Sequence, residues 1–210
     1  MKIIIGLVVV LALAFVFIIF QPQAFLPHQK IVIGLPFDKN DPPTGMIPMG
    51  ETIAHPKPRV PNGHPGIDFG WQHNSKILSS SDGEITRITN GTSDPGKWDI
   101  EVQSGNYFLR YKELEDYDQS LKVSSKVKKG DLLGHPGASE FPDHPGKNYQ
   151  IHWELASTSL ILDRWCPVNY FDPESKKIIE DIWAKVPTND RFKAKFPYIC
   201  SGDYFGKEEK

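Results

Sequence analysis

The sequence carries the pentapeptide His64-Pro65-Gly66-Ile67-Asp68 and, far downstream, the pentapeptide Gln150-Ile151-His152-Trp153-Glu154. Together the two stretches supply two imidazoles and one carboxylate, on His64, Asp68 and His152. Three protein ligands of these types can hold a catalytic zinc ion (Zn2+) and leave its fourth position for water. A histidine four residues before an aspartate is frequent by chance, so the prediction depends on both stretches. We therefore expect a zinc site formed by His64, Asp68 and His152.

Short strands separated by turns are predicted for most of the chain after the first stretch. Eighteen prolines and seventeen glycines favour many turns over a helical bundle. Alternating or turn-bounded segments predict strands at residues 77–78, 84–88, 98–102, 107–111 and 150–155, and residues 127–134 predict a strand, a turn and a second strand. Because side chains two residues apart on a strand share a face, Gln150 and His152 should point into the same cavity.

A helical pattern follows near the C-terminus. Asp172-Pro173-Glu174 offers a capping side chain, a proline at the first turn and an early acidic residue. Apolar residues then recur at helical spacing at Ile178, Ile179, Ile182, Trp183 and Val186. The sequence as a whole predicts a mostly β fold, an antiparallel sheet domain with a C-terminal helical extension.

The chain begins with a long apolar segment. An uninterrupted apolar run extends from Ile3 to Phe20, and at about 1.5 Å per residue it nearly crosses a hydrocarbon core of roughly 30 Å. Residues 1–24 are predicted to be a transmembrane anchor or a cleaved secretory signal, with a buried helix as the remaining alternative. An anchor would hold the domain outside the cytoplasm, in the periplasm or at the cell surface, and cleavage would make it secreted.

Charge and cysteine content narrow the classes of protein. A formal net charge of -2 gives no basic surface of the kind that nucleic-acid binding needs. Cys166 and Cys200 are the only cysteines, and an even number in an oxidising location favours a disulfide. Two unpaired buried thiols are the alternative, because the sequence does not show whether their Cα atoms come close.

Five ordered segments give the chain a resemblance to a known family. They are His64-Pro65-Gly66-Ile67-Asp68, Asp82-Gly83, Tyr111-Lys112-Glu113-Leu114, the Val-x-x-x-Val-Lys-x-Gly-x-x-Leu-Gly-x-x-Gly frame of residues 123–137, and Ile151-His152-Trp153-Glu154. In this order they resemble the lysostaphin-type (LytM-like) zinc metalloendopeptidases, which cut peptides in bacterial peptidoglycan. The resemblance implies a β-sheet groove of the lysostaphin type, with zinc at its floor held by His64, Asp68 and His152.

The local patterns and the resemblance together divide the chain into four parts. From their composition, residues 1–24 are predicted to be the anchor or signal segment and residues 25–58 a linker and lead-in loop. Residues 59–172 form the predicted metallopeptidase-like domain, and residues 173–210 its C-terminal extension.

Two positions depart from the family's pattern. The family has two non-ligand histidines beside the metal, one opening a His-x-His motif and one third in a Tyr-x-His-Leu segment. Gln150 and Glu113 occupy these positions here. A glutamine can donate a hydrogen bond to an oxyanion but cannot exchange protons near neutral pH, whereas a carboxylate is the base in other zinc peptidases. Our hypothesis is that Glu113 is the catalytic base and Gln150 the oxyanion donor of a slower or altered hydrolase.

Other side chains could complete such a site. The candidates for a compensating imidazole are His55, His73, His135 and His144. His144 lies in a loop just before the strand predicted at 150–155, and a loop can carry a functional side chain to a site. Glu154 corresponds to an acid at the end of the family's motif, where it could orient a ligand imidazole.

The resemblance supports two classes of function. We favour a zinc metalloendopeptidase that acts on peptidoglycan or another peptide. The alternative is a non-catalytic zinc-binding module that binds peptidoglycan or regulates cell-wall hydrolases, as degenerate relatives do. A purely structural zinc is a third option, although an open three-ligand site suits it less than four closed ligands. The sequence identifies neither the scissile bond nor the oligomeric state.

Overall fold

The computed structural model describes residues 31–56, 60–91, 96–139, 148–157 and 163–204. Within these ranges, ten strands form one antiparallel sheet. The strands are β1 (Gly45–Ile47), β2 (Ile67–Trp71), β3 (Ile77–Leu78), β4 (Gly83–Asn90), β5 (Trp98–Ser104), β6 (Tyr107–Tyr117), β7 (Lys126–Val127), β8 (Leu132–Ala138), β9 (Tyr149–Ser157) and β10 (Arg164–Trp165). A short 3-10 helix at Pro167–Asn169 precedes the helix α1 (Pro173–Lys185). The predicted mostly antiparallel β fold with a C-terminal helix is confirmed.

Strand β9 lies at the centre of this sheet. The main path through the sheet is β1-β2-β9-β8-β6-β5-β4-β7, with β3 beside β8 and β10 beside β9. The register aligns Asp68 of β2 with His152 of β9, and it also places Lys112 of β6 opposite His152. The two pentapeptides are therefore neighbours in space because their strands pair directly.

Helix α1 begins where the sequence predicts a cap. The Asp172 carboxylate accepts the backbone N–H of Ser175 at 2.8 Å, which satisfies one of the donors that a helix leaves open at its N-terminus. Ile179, Ile182 and Trp183 form the buried face of the helix. The stripe of apolar residues is therefore a packing face of the domain.

The segment 31–56 is part of the domain, although the sequence predicts a linker and lead-in loop over 25–58. Strand β1 pairs with β2 at the edge of the sheet, and isolated bridges join Ile33 to Phe171 and Met49 to Cys200. The side chains of Ile33 and Met49 are fully buried. The prediction differs because the apolar residues of this segment are isolated in sequence and pair only with distant parts of the chain.

A disulfide joins Cys166 to Cys200, with the two Cα atoms 5.9 Å apart. Of the two alternatives for these cysteines, the paired one is therefore present. The bond closes across residues 167–199, which include α1, and both cysteines are buried. It thereby fastens the end of the C-terminal extension to the chain just after β10.

The part of the chain that the structure describes contains no helix with the length and apolar character of a membrane span. The predicted anchor or signal segment at 1–24 lies outside the described residues, as does His144. Both stay predictions.

Candidate metal centre

Three side-chain atoms from β2, β9 and the turn before β2 converge on one point. His64 Nε2 lies 3.0 Å from Asp68 Oδ1 and 2.8 Å from His152 Nδ1. His152 Nδ1 in turn lies 2.8 Å from Asp68 Oδ1. All three side chains are buried. The structure thus brings together the three residues that the sequence predicts as zinc ligands.

The second nitrogen of each imidazole has its own partner. His64 Nδ1 lies 3.1 Å from the carbonyl oxygen of Pro48, which can only accept, so Nδ1 carries the proton and Nε2 presents a lone pair to the site. His152 Nε2 lies 2.9 Å from Glu154 Oε1. A carboxylate or carbonyl on the outer nitrogen fixes the tautomer and ring direction of a metal-ligating histidine. The predicted orienting position of Glu154 agrees with this geometry.

The three side chains of the site shift one another's pKa values. Burial alone would raise the pKa of Asp68, but the neighbouring His64 and the hydrogen bond from His152 outweigh burial and hold that pKa well below its usual range. Burial lowers the pKa of His64, and the nearby Asp68 offsets this only in part. For His152, burial is outweighed by the hydrogen bonds to Asp68 and Glu154, which raise the pKa to about 10. At neutral pH Asp68 is therefore a carboxylate, His64 a neutral imidazole and His152 a protonated imidazolium. A metal ion bound at this site would displace the proton from His152 Nδ1.

These residues fit a zinc ion in both chemistry and geometry. Two imidazole nitrogens and one carboxylate oxygen are typical zinc ligands, and each of the three residues offers one such atom. Tetrahedral ligands about 2.0–2.1 Å from zinc are roughly 3.3 Å apart, so the atoms need to separate by only a few tenths of an ångström. The predicted ligand set and cofactor are compatible with the structure, and zinc binding itself is left to experiment.

Glu154 is surrounded by cations on its other side. Its carboxylate contacts Lys112 Nζ at 3.1 Å, Arg110 at 3.5 Å and Arg164 Nε at 2.7 Å. Burial alone would raise the pKa of Glu154, but the bond from His152 and the nearby positive charges hold that pKa well below its usual range. A permanently charged acceptor therefore lies behind the His152 ring.

Glu113 and Gln150, the two residues predicted as base and oxyanion donor, are hydrogen-bonded to each other. Gln150 Nε2 donates to Glu113 Oε2 at 2.8 Å, and Ser139 Oγ donates to Gln150 Oε1 at 2.8 Å. Gln150 is buried, whereas Glu113 is partly exposed. The alternation of side chains along β9 predicts that Gln150 lies on the same face of the sheet as His152. The hydrogen bond from Gln150 shows that the Glu113 side chain, on β6, also reaches this face. The catalytic roles assigned to the two residues stay predictions.

The backbone of Glu113 has a left-handed conformation, with φ of 68°. For a residue other than glycine this conformation costs about 1–2 kcal/mol. The pairing of β6 with β5 shifts register between Tyr111 and Leu114, a stretch that contains Glu113, and its pairing with β8 shifts between Leu114 and Asp116. Gly137 of β8 makes room for it, because a Cβ atom there would lie 2.4 Å from the Glu113 carbonyl oxygen. The local irregularity turns the Glu113 side chain toward Gln150.

Of the other candidate histidines that the structure describes, two are held by carboxylates and one packs against His64. His73 Nε2 is held by Asp41 at 2.9 Å, and His135 Nδ1 by Asp116 at 2.7 Å. His55, in contrast, stacks on His64, with ring centroids 4.3 Å apart and planes 22° from parallel. Its Nδ1 is hydrogen-bonded to the buried carboxylate of Glu51. The sequence does not predict a role for Glu51, because the only indication is that this acid stands four residues before His55.

The sequence matches a known family over the region that contains this site. The model of Peptidase family M23 matches residues 62–163. A search of curated proteins found no significant match. The resemblance to lysostaphin-type, LytM-like peptidases is therefore confirmed, and the region is a peptidase-like domain.

Solved structures share the fold. A structure of Csd3 from Helicobacter pylori has a TM-score of 0.52 and 19% identity, over 77% of this chain and 45% of that one. A chain of the SpoIIQ-SpoIIIAH pore forming complex has a TM-score of 0.50 and 17% identity, over 72% and 98%. The antimicrobial peptidase lysostaphin from Staphylococcus simulans has a TM-score of 0.48 and 18% identity, over 63% and 50%. This chain thus aligns with less than half of Csd3, and the likenesses to Csd3 and to the SpoIIQ-SpoIIIAH chain concern the fold alone.

Proposed function

We propose that residues 62–163, which match the model of Peptidase family M23, are a zinc metalloendopeptidase domain acting on peptidoglycan or a related peptide. The observation that carries the proposal is the convergence of His64 Nε2, Asp68 Oδ1 and His152 Nδ1 within 3.0 Å of one another. A zinc ion held there would act as a Lewis acid toward water and the substrate carbonyl.

Glu113 is the proposed proton acceptor. A carboxylate can take a proton from water and pass it to the leaving amine, which the amide of Gln150 cannot do. The bond from Gln150 Nε2 aims the Glu113 carboxylate. Because an amide carries two N–H donors, Gln150 can hold Glu113 with one and donate to a developing oxyanion with the other.

A non-catalytic zinc module is the second candidate, and a specific observation favours it. Ser139, Gln150 and Glu113 form a hydrogen-bonded chain in which both the oxygen and the nitrogen of the Gln150 amide have a protein partner. Such a chain could keep the fold and the metal while hydrolysis is lost. The module would then bind peptidoglycan or regulate cell-wall hydrolases, and the fold likeness to a chain of the SpoIIQ-SpoIIIAH complex makes a protein partner reasonable.

We further propose that the domain works outside the cytoplasm, tethered to the membrane or secreted. The apolar run from Ile3 to Phe20 supports delivery across a membrane. The disulfide between Cys166 and Cys200 supports the same location, because such bonds persist in oxidising compartments.

The deciding experiment measures zinc and cleavage together. The full chain in detergent is loaded with zinc, its metal content is determined, and it is incubated with purified peptidoglycan. Wild-type protein should bind one zinc ion and release fragments, and His152→Ala should do neither. His73→Ala is the matched control, because this exposed histidine is held by Asp41 away from the ligand set.

The other outcomes separate the candidates. Stoichiometric zinc and sedimentation with the polymer, without fragment release, would establish the binding module and refute the enzyme. Wild-type protein without zinc would refute both.

A further inference from the structure

Glu51, His55 and His64 form a second group of ligand-type side chains among the described residues. Glu51 is fully buried, and its two oxygens already accept N–H donors. Oε2 accepts the backbone N–H of Ile53 at 2.6 Å and that of Ala54 at 3.0 Å, while Oε1 faces His55 Nδ1. This carboxylate closes a turn rather than presenting itself to a second metal ion.

The turn places an imidazole flat against a metal ligand. The rings of His55 and His64 are stacked, with centroids 4.3 Å apart. Since the Glu51 carboxylate can only accept, His55 Nδ1 is the donor and the ring cannot rotate without losing that bond. The orientation of the His55 ring is thus set by a buried charge.

His64 is also held by the same segment at its backbone and its edge. Its N–H donates to the Glu51 carbonyl at 2.8 Å, and its carbonyl accepts the N–H of Gly50 at 2.8 Å. Its Nδ1 donates to the Pro48 carbonyl at 3.1 Å. Residues 48–55 therefore contact the backbone, the edge and one face of His64, and we name this segment the His64 brace.

We propose that Glu51 and His55 are positioning residues, which hold the His64 ring so that Nε2 points at the metal. This inference rests on the proposed zinc binding and adds to it two residues outside the ligand set. Removing a group that orients a metal-ligating histidine costs roughly 10- to 100-fold in metal affinity. The brace gives this chain a means of holding one ligand that does not depend on Glu113 or Gln150.

Metal affinity tests the proposal without reference to catalysis. The full chain in detergent is titrated with zinc against a competing chelator, and with cobalt to record the visible absorption of the bound ion. His55→Ala should weaken zinc binding by roughly 10- to 100-fold and alter the cobalt spectrum. His55→Phe keeps a flat ring on His64 but loses the bond to Glu51, so it should bind zinc more tightly than His55→Ala and less tightly than wild type.

His135→Ala is the matched control, since it removes a partly exposed imidazole held by Asp116, and it should bind zinc like wild type. The proposal is overturned if His55→Ala melts at a lower temperature yet keeps wild-type zinc affinity and cobalt spectrum, because its role is then structural only. Should His55→Ala fail to fold, Glu51→Gln takes its place, and wild-type affinity in that variant overturns the proposal equally. A wild-type chain that binds no zinc refutes the proposed function instead.

Discussion

Glu113 combines a strained backbone with a directed carboxylate. Its φ of 68° is costly for a side chain with a Cβ atom, and such strain persists only where the surroundings enforce it. Here the register shifts of β6 and the close approach of Gly137 enforce it. The sequence indicates which residue stands at this position, but neither its conformation nor its bond to Gln150, because both depend on pairing with distant strands.

Replacing Glu113 by glutamine tests the role of its carboxylate. Glu113→Gln keeps the size of the side chain and removes the proton acceptor, so cleavage should fall by about 10²–10⁴, with zinc content unchanged. Fragment release and bound zinc are measured on the same samples. Glu115→Gln is the control, because Glu115 lies two residues further along β6 and is exposed. Undiminished cleavage by Glu113→Gln would show that the base lies elsewhere.

Gly66 allows the two pentapeptides to touch. A Cβ atom on Gly66 would lie 2.3 Å from the Trp153 carbonyl oxygen and 3.0 Å from Glu154 Cγ. This close approach between chain segments accounts for the glycine in the first pentapeptide.

Gly66→Ala should lower the free energy of unfolding by about 1–3 kcal/mol, because β9 must shift. Since the shift occurs beside His152, zinc affinity should fall as well. Urea unfolding and chelator competition measure the two effects. Gly105→Ala is the control: it adds its methyl group to open space in the β5–β6 turn at φ of 55°, so it should cost stability but leave zinc affinity unchanged. Equal zinc affinity in both variants would contradict the prediction.

At the scale of elements, the sequence predicts most of the strands because their signals are local. The turn at Gly105 between β5 and β6, the strand β9 and the Asp172 cap can each be read within a few residues. Strand β1 is different, since its partner is β2 and its apolar residues show no regular alternation. The His64 brace was missed for a similar reason, because its contacts become visible only once β2 is placed.

The cap of α1 makes a prediction that depends on pH. Burial alone would raise the pKa of Asp172, but the Ser175 N–H and Lys129 outweigh burial and lower it. A carboxyl with a lowered pKa stabilises the fold above its unfolded pKa, and that stability is lost as the pH falls through the folded pKa.

Asp172→Ala should therefore lower the free energy of unfolding at neutral pH by about 0.5–2 kcal/mol. The difference from wild type should shrink as the pH drops below 3.8, the usual pKa of an aspartate. Urea unfolding at several pH values measures it. Asp181→Ala, an exposed position in the same helix, should change stability by no more than about 0.5 kcal/mol. A pH-independent effect of Asp172→Ala would exclude the charged cap as its cause.

At the scale of the whole molecule, the C-terminal extension contacts the segment that holds His64 of the candidate metal centre. Cys200 forms a bridge with Met49, and Ser201 donates to the Met49 carbonyl at 3.0 Å. Met49 is the neighbour of Pro48, whose carbonyl holds His64. The sequence leaves the pairing of the cysteines open, because the meeting of two segments 34 residues apart is a property of the assembled fold.

Removal of both cysteines tests how much the disulfide contributes to the stability of the fold. The double variant Cys166→Ser, Cys200→Ser should be less stable by about 3–4 kcal/mol, from the chain entropy that the bond removes in the unfolded state. Urea unfolding with and without reductant measures the loss. Reductant should destabilise wild type to the level of the double variant and leave the variant unchanged. A wild-type protein indifferent to reductant would show that the bond contributes no stability.

The pairing of Asp68 with His152 determines when the candidate metal site can form during folding. The two residues are 84 positions apart, and contacts between distant residues form late because the intervening chain must first be closed into a loop. A slip of one residue between β2 and β9 would turn the His152 side chain to the opposite face of the sheet. The three-residue ligand set of the proposed zinc site is therefore complete only after this long-range pairing has formed in the correct register. In a refolding experiment with cobalt, the time at which the cobalt absorption appears would report when β2 and β9 have paired in the correct register.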